Sequence, residues 1–308
     1  MNYQMKKKYY SNGKLLISAE YLVLDGATAL ALPTKFGQSL DVIETNSGQI
    51  AWKSFDADHS VWFETTIIFD EIKNNNPKKD DAVRTKLIEI LTAANNMNPK
   101  IFLHNQGFNI QTSLTFPRKW GLGTSSTLIN NIAQWFEIDA FKLLKKSFGG
   151  SGYDIACAQY NFPILYTLEN KKTTICICDF KPIFSDKIYF VYLNQKQNSN
   201  VGIKMYREKD FDLCQSIKKI NDITHNLVDR FIPFDLFCEL LQKHELVLSD
   251  ILQLSTIKNQ LFSDFKGTIK SLGAWGGDFV MVMSDENPAG YFQSKGFDVI
   301  LTYDEMIL

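Results

Sequence analysis

The sequence predicts an α+β fold in two domains, residues 1–183 and 184–308. Strand-like and helix-like stretches occur in both halves, and they do not alternate strictly as strand and helix. A length of 308 residues suits two domains of ordinary size. A hydrophobic share of 45% and a charged share of 22% are typical of globular proteins and exclude wholesale disorder. The boundary is placed at about residue 183, because Lys181 and Pro182 separate two strand-like stretches.

In the first half, β-rich stretches bounded by turn residues predict strands over 14–41 (with a turn at Asp25 and Gly26), 49–53, 61–69 and 108–115. Apolar residues at helical spacing predict a helix over 83–94. The polar stretch 74–80 contains a proline and predicts a loop. A helical segment is expected to end at Phe136, a second to run from an N-cap at Asp139 to Gly149, and a third to begin near Asp154.

In the second half, the same signals predict strands over 173–180 and 187–193 and then helices over 213–231 and 234–252. A strand-like pair follows at 267–271 and 279–283, and then a helix and a final strand near 297–302. Strands and helices in this order favour α+β over a doubly wound parallel sheet.

Charge and cysteine content exclude several classes of protein. Lysine and arginine number 33 and aspartate and glutamate 34, which gives a formal net charge of −1 and disfavours binding to nucleic acid. No stretch reaches the roughly 20 apolar residues that a membrane helix requires. The five scattered cysteines predict buried free thiols in a reducing compartment. We therefore expect a cytoplasmic monomer or homodimer that binds neither nucleic acid nor membrane.

The segment 117–127, PRKWGLGTSST, carries the strongest local signal. A predicted strand leads into Gly121 and Gly123, and a helix follows within a few residues. Glycines let a backbone approach a ligand closely, and the start of a helix favours anions. The segment is neither a Walker A loop nor a dinucleotide fingerprint, and a tight turn with a helix cap would also explain it.

Three further segments could carry chemistry. In GGSGYDIA (149–156), Asp154 could act as a base near a bound phosphate or could simply cap a helix. The segment SLGAWGGD (271–278) could be a hairpin turn or a backbone that packs against another loop. Lys14 follows Gly13 at the first strand and could be either functional or merely solvated.

Taken together, these segments resemble the GHMP kinase superfamily, named after galactokinase, homoserine kinase, mevalonate kinase and phosphomevalonate kinase. NGKLLISAEYLVLDGATALALP is similar to the first motif of the family, and KWGLGTSST is similar to its phosphate loop. SGYDIA resembles the segment with the catalytic acid, and SLGAWGGDFVMV resembles the C-terminal glycine motif. The resemblance implies a domain like ribosomal protein S5 domain 2, then a ferredoxin-like domain, and the cofactors ATP and Mg²⁺.

The resemblance also implies roles for individual residues. Asp154 would take the proton of the acceptor hydroxyl, and Lys14 would steady that acid and the transferring phosphoryl group. The residues that would bind ATP are Gly121, Leu122, Gly123, Thr124, Ser125, Ser126 and Thr127, with Ser126 also on Mg²⁺. The residues that would bind the acceptor are Lys14, Glu20, Lys119, Ser151, Gly152, Ala274 and Gly276.

Several details favour the phosphomevalonate and mevalonate branch and an anionic hydroxy-acid or phosphate acceptor. Glu20 and Tyr21 replace the Glu-His of many members, and Lys119 with Trp120 resembles the Lys-aromatic pair of phosphomevalonate kinases. Two positions depart from the family pattern: Leu143 stands where mevalonate kinases have a metal-binding glutamate, and Trp275 stands where the third motif has glycine. Three alternatives stay open, namely a sugar or homoserine kinase, a diphosphomevalonate decarboxylase, and a non-catalytic protein of the same fold.

Overall fold

The computed structural model describes residues 6–74, 81–103, 106–196 and 199–308. The strands in this part of the chain are β1 (Lys6–Leu16), β2 (Ala29–Thr45), β3 (Gln49–Phe55), β4 (Val61–Ile68), β5 (Gly107–Leu114), β6 (Ile164–Glu169), β7 (Lys172–Ile177), β8 (Ile188–Tyr192), β9 (Thr268–Leu272), β10 (Phe279–Met283) and β11 (Ile300–Thr302). The helices are α1 (Phe69–Lys73), α2 (Ala82–Met97), α3 (Thr124–Phe136), α4 (Ala140–Ser147), α5 (Tyr153–Gln159), α6 (Ser199–Arg207), α7 (Leu213–Leu227), α8 (Phe234–Leu252), α9 (Ile257–Leu261), α10 (Ala289–Ser294) and α11 (Tyr303–Met306). The mixed content confirms the predicted α+β class.

The density of contacts divides the chain into two compact units. The first contains the described residues up to Gly13 together with 36–118 and 122–159, and the second contains 14–35, 119–121 and 160–308. Both units therefore draw on segments from distant parts of the sequence. The predicted domain boundary near residue 183 stays a prediction.

The first unit contains the strand order β4-β3-β5-β2, in which β3 and β5 are parallel and the other two pairs antiparallel. Alternate residues of β3, among them Ile50 and Trp52, are buried, as expected of a strand with one face on a core. Aromatic rings fill this core, and the Trp135 ring lies 5.8 Å from Phe102 and 5.3 Å from Phe108. Strands β2–β5 and helices α1–α5 all contribute to it.

The second unit contains an antiparallel sheet of order β11-β8-β10-β9 and the ladder of β6 with β7 and the start of β2. Every residue of β9 and β10 is buried. Ile269 lies in the apolar core with Val280 and Val282, whereas Lys270 points to the opposite face, where α8 lies. A lysine is therefore buried inside this unit.

Most predicted elements are confirmed, and the differences are local. The predicted helix 83–94 lies inside α2, strand 108–115 matches β5, and helix 234–252 coincides with α8. The helix predicted over 213–231 ends at Leu227, and the strand predicted over 173–180 ends at Ile177. The predicted loop 74–80 lies outside the described residues except for Asn74.

Five elements were not predicted: β6 and the helices α1, α6, α9 and α11. Helix α6 carries Gly202 in its interior, a residue that weakens the helical signal. Strand β6 is held by ladders on both sides, with β2 and β7, which a local pattern does not show. The cysteines are free thiols as expected, but Cys176 and Cys214 are exposed rather than buried. No helix in the described part of the chain meets the length and apolarity needed to span a membrane.

Candidate functional site

The phosphate loop predicted at Gly121–Thr127 is a turn with two left-handed glycines followed by helix α3. Gly121 has φ +69° and Gly123 has φ +97°, and α3 begins at Thr124. Residues with a Cβ adopt such angles only at a cost, so glycine is required at both positions. The N–H groups of the first turn of a helix have no acceptor within the helix and lie at its positive end. The loop can therefore offer backbone donors to a phosphate.

The hydroxyl groups after the second glycine differ in exposure. Ser126 Oγ donates to the Gly123 carbonyl at 2.9 Å, and Thr127 Oγ1 lies 3.0 Å from the same oxygen and 2.8 Å from Gln38 Oε1. Both side chains are buried, whereas Ser125 is exposed. Ser126 and Thr127 therefore brace the loop from inside, and Ser125 is the hydroxyl that reaches solvent.

In the second unit, Gly121 is enclosed by residues from both ends of the sequence. Lys14 Nζ donates to the Gly121 carbonyl at 3.0 Å. A Cβ added to Gly121 would overlap the Asp278 carboxylate, so the position has no room for a side chain. The Trp120 ring lies 5.4 Å from Phe279, and Tyr192 Oη donates to the Lys119 carbonyl at 3.3 Å. No sequence pattern points to Tyr192 here, because it is the last residue of an ordinary strand.

Asp154 lies on α5 in the first unit. The chain enters this helix through Gly149, Gly150 and Gly152, all with positive φ, and the predicted acceptor residues Ser151 and Gly152 directly precede it. Because α5 begins at Tyr153, Asp154 lies within its first turn, and its Oδ1 accepts from the Ile155 N–H at 3.0 Å. An acid in a first turn is favoured by the helix dipole, so the structural explanation for Asp154 stays available beside the catalytic one.

Helix α5 is fastened to α3, the helix that begins at the phosphate loop. Gln159 Nε2 donates to Asn130 Oδ1 at 2.9 Å, and Ile155 lies in the same core as Ile129 and Ile132. The first unit therefore holds Asp154 and the 122–127 part of the phosphate loop on two helices that pack together.

Glu20, predicted to bind the acceptor, is buried in the second unit in a cluster of charged side chains. Its Oε1 lies 2.5 Å from Lys270 Nζ, and its Oε2 lies 3.3 Å from His244 Nε2. Lys270 Nζ also lies 3.3 Å from Glu245 Oε1, so one ammonium group forms ion pairs with two carboxyl groups. Glu20 thus acts as an internal counter-ion, and its role toward an acceptor stays a prediction.

Burial and charge shift the pKa values within this cluster. Burial would lower the pKa of Lys270, but the carboxylates of Glu20 and Glu245 outweigh it and raise that pKa, so the lysine stays charged. Burial raises the pKa of Glu245 to about 7, with Lys270 opposing the shift and Glu20 adding to it. Burial and the nearby Lys270 hold the pKa of His244 well below its usual range, so its ring is neutral.

The glycine loop (Gly273–Gly277) carries the predicted acceptor residues Ala274 and Gly276. The Gly277 N–H donates to the Ala274 carbonyl at 2.7 Å, and Gly276 has φ +89° at the position where such a turn needs a left-handed residue. Trp275, a departure from the family pattern, is not among the residues with positive φ. The positive φ angles of this loop fall on Gly273, Gly276 and Gly277, so Trp275 occupies the turn without one.

The remaining predicted positions are placed as follows. Lys119 is exposed in the short 3-10 turn before Gly121. Leu143, at the place of a family metal ligand, is completely buried in the apolar core of the first unit. Among the described residues, no group of three or more histidine, cysteine, aspartate and glutamate side chains could hold a metal ion.

No protein-family model matches the sequence, and no curated protein matches it significantly. Solved structures match over nearly the whole chain. A mevalonate kinase from Methanococcus jannaschii is 16% identical, with 96% of this chain and 95% of that chain covered and a TM-score of 0.67. A phosphomevalonate kinase from Streptococcus pneumoniae, in complex with phosphomevalonate and AMPPNP, is 14% identical, with 96% and 99% covered and a TM-score of 0.70. A galactokinase from Lactococcus lactis, complexed with galactose, is 12% identical, with 94% and 88% covered and a TM-score of 0.69.

At these identities the likeness shows the fold. It confirms the two-domain GHMP kinase fold that the motifs predicted, with a main sheet and a second, smaller sheet. The mevalonate kinase, the phosphomevalonate kinase and the galactokinase have similar TM-scores, so the fold does not select the acceptor.

Proposed function

We propose that the protein is an ATP-dependent phosphotransferase of the GHMP type, which transfers the γ-phosphoryl group of ATP to a small acceptor. The observation that carries the proposal is the meeting, within the second unit, of segments that are far apart in sequence. Lys14 bonds to Gly121 across 107 positions, Gly121 abuts Asp278, and Lys270 pairs with Glu20 across 250 positions. Three of the four motifs that predicted a kinase are thus brought together at the start of the phosphate loop.

The nucleotide is held, in this proposal, by the loop Gly121–Thr127. The left-handed glycines bring the backbone to the phosphates without a side chain in the way. The start of α3 adds N–H donors and the positive end of the helix dipole, and Ser125 adds an exposed hydroxyl. Lys14 donates to the carbonyl of Gly121, the first residue of this loop.

The chemical step requires alignment and positive charge rather than a strong base. In phosphoryl transfer the developing charge lies mostly on the transferred group and the leaving oxygen. We propose that Asp154 orients the acceptor hydroxyl and takes its proton as the bond to phosphorus forms. The ammonium of Lys14 is the predicted source of positive charge beside the transferring group.

Mg²⁺ would enter with ATP rather than occupy a site built by the protein. The position of the family metal ligand holds the buried Leu143, which offers no oxygen. Mg²⁺ is commonly bound by nucleotide phosphates and only one or two protein ligands. Ser126, the predicted protein ligand, is buried and donates its hydroxyl proton to Gly123, so its part in holding Mg²⁺ stays a prediction.

For the acceptor we propose mevalonate or 5-phosphomevalonate, and hence a role in isoprenoid precursor synthesis. The motif resemblance and the presence of a mevalonate kinase and a phosphomevalonate kinase among the similar structures support this choice. Lys119 is exposed two residues before Gly121 and could bind a carboxylate or phosphate as a point charge.

The cellular setting follows from the same proposal. Free thiols, two of them exposed, suit a reducing compartment, so we infer a cytoplasmic enzyme. A net charge of −1 suits small-molecule substrates better than nucleic acid. We expect a monomer or a homodimer.

The experiment that tests the function is an assay of ADP release with Mg²⁺·ATP and a panel of acceptors. The panel contains mevalonate, 5-phosphomevalonate, homoserine, galactose and diphosphomevalonate, each also assayed for released carbon dioxide. ADP release with mevalonate or 5-phosphomevalonate alone supports the full proposal. Turnover of galactose or homoserine would support the kinase activity but contradict the proposed acceptor. Release of carbon dioxide would indicate a decarboxylase. ATP binding without any turnover would indicate a non-catalytic protein.

A further inference from the structure

Tyr21 adopts a backbone conformation that is unfavourable for a residue with a side chain. Its φ is +62° and its ψ is −48°, and the Leu22 N–H donates across it to the Glu20 carbonyl at 2.7 Å, which forms a γ-turn. Ala19, two residues earlier, also has a positive φ of +67°. Positive-φ γ-turns are rare and strained and persist only where the surroundings hold them. The residues around Tyr21 must therefore hold it in this conformation.

The charged cluster of the second unit holds this turn from one side. The Ala19 N–H donates to His244 Nε2 at 2.9 Å, and Glu20 is paired with Lys270 at 2.5 Å. Lys270 lies in β9, and this strand runs directly into the glycine loop. The turn and the loop are therefore fastened to the same strand.

The Tyr21 side chain reaches the glycine loop itself. Its hydroxyl oxygen accepts the Trp275 N–H at 2.7 Å, while its ring stacks on Tyr206 with centroids 5.6 Å apart. The same peptide plane carries the Ala274 carbonyl, which accepts the Gly277 N–H at 2.7 Å on the other side. Because a peptide unit is planar, these two bonds fix the orientation of the Ala274–Trp275 peptide.

We infer that Tyr21 is a positioning residue for the acceptor, acting through the glycine loop rather than by touching the reacting atoms. The inference rests on the proposed function and deepens it. The Tyr21 hydroxyl stabilises the turn in which the backbone of Ala274 and Gly276 faces the acceptor. The strained γ-turn is retained because it directs this hydroxyl toward the Trp275 N–H. Tyr21, which replaces the histidine of many members, and Trp275, which departs from the family pattern, would then act together to shape the part of the site that binds the acceptor.

The test is Tyr21→Phe, which removes the hydroxyl and keeps the ring that stacks on Tyr206. The matched control is Tyr206→Phe, which removes the hydroxyl that donates to Asp25 Oδ2 at 2.6 Å and keeps the same stack. Tyr21→Phe should speed hydrogen exchange of the backbone amides of 273–277 about tenfold. It should raise the KM for mevalonate or 5-phosphomevalonate about fivefold to tenfold, as loss of one hydrogen bond does, and leave the KM for ATP unchanged. Tyr206→Phe should change neither the exchange of this loop nor the acceptor KM.

Unchanged exchange in Tyr21→Phe would overturn the inference whatever the kinetics show. Faster exchange with an unchanged acceptor KM would also overturn it, because the hydroxyl would then be a purely structural support. If the wild-type protein phosphorylates neither probe, the acceptor role falls with the proposed function. The exchange measurement still decides separately whether Tyr21 holds the loop.

Discussion

The two glycine-rich loops of the molecule are held in different ways. In the phosphate loop from Gly123 onward, two bracing bonds are local, because Ser126 and Thr127 bond to the Gly123 carbonyl three and four positions away, and one is remote, from Thr127 to Gln38. In the glycine loop, one bond is local, from Gly277 to Ala274, and two are remote: Tyr21 lies 254 positions from Trp275, and Gln195 bonds to Gly276 across 81 positions. From Gly123 onward, the first loop therefore depends more on its own sequence, and the second depends more on the folded surroundings.

The largest effect is expected when the remote support of the glycine loop is removed. Lys270→Met should lower the free energy of unfolding by about 3–5 kcal/mol, because two buried carboxylates lose their shared counter-ion. The control is Lys258→Met, which deletes a lysine that donates to the Gly267 carbonyl, at 2.7 Å, just before the same strand. That change should cost about 1 kcal/mol. Denaturant unfolding of both variants measures the difference, and equal losses would show that the cluster does not support the loop.

A smaller effect is expected when one glycine of each loop is replaced by alanine and ATP binding is compared. Gly121 and Gly273 have similar φ values, +69° and +76°, so alanine costs about 1–2 kcal/mol of backbone strain at either position. Only at Gly121 would the new Cβ also overlap a neighbour, the Asp278 carboxylate, whereas Gly273 has open space around it. Gly121→Ala should therefore weaken Mg²⁺·ATP binding by at least about tenfold, and Gly273→Ala by less than about twofold. Titration calorimetry measures both, and equal losses would contradict the assignment of Gly121 to the nucleotide.

The smallest effect concerns the pH dependence of the charged cluster. The pKa of Glu245 is about 7 in the folded protein and near 4.5 when unfolded, so the folded state binds more protons between these pH values. Its contribution to stability is present below pH 4.5 and is lost as the pH rises through about 7. Glu245→Gln removes this loss, so the Tm of the variant minus that of the wild type should become more positive from pH 5 to pH 8.

The groups that face Glu245 are unchanged in this variant, and Glu20 and Lys270 keep their pairing. The titration of His244 therefore affects the Tm of the variant and of the wild type in nearly the same way. The control is Glu239→Gln, an exposed position on the same helix that pairs with Lys243. Its Tm difference should not change with pH. A flat difference for Glu245→Gln would show that its carboxyl titrates as an ordinary one.

The sequence reveals the two loops unequally, for a physical reason. Gly121 and Gly123 before a helix carry their own signal, because left-handed glycines and a helix start are local properties. The remote partners carry none: Lys270 sits in an apolar strand and Tyr21 in an apolar run, and only the fold shows what each one contacts. The motif resemblance predicted the fold correctly, as the similar solved structures show. It could not predict α6, whose residue Tyr206 stacks on Tyr21.

The most direct test of the proposed phosphotransferase is transfer of the labelled γ-phosphoryl group from ATP to 5-phosphomevalonate or mevalonate by the wild type and by Asp154→Asn. The control is Asp139→Asn, which changes an acid whose role is visible as the N-cap of α4. We expect transfer by the wild type and the control, and a rate lowered at least about a hundredfold in Asp154→Asn with unchanged ATP affinity. Near-normal transfer by Asp154→Asn, or a wild-type protein that does not bind ATP, would contradict it.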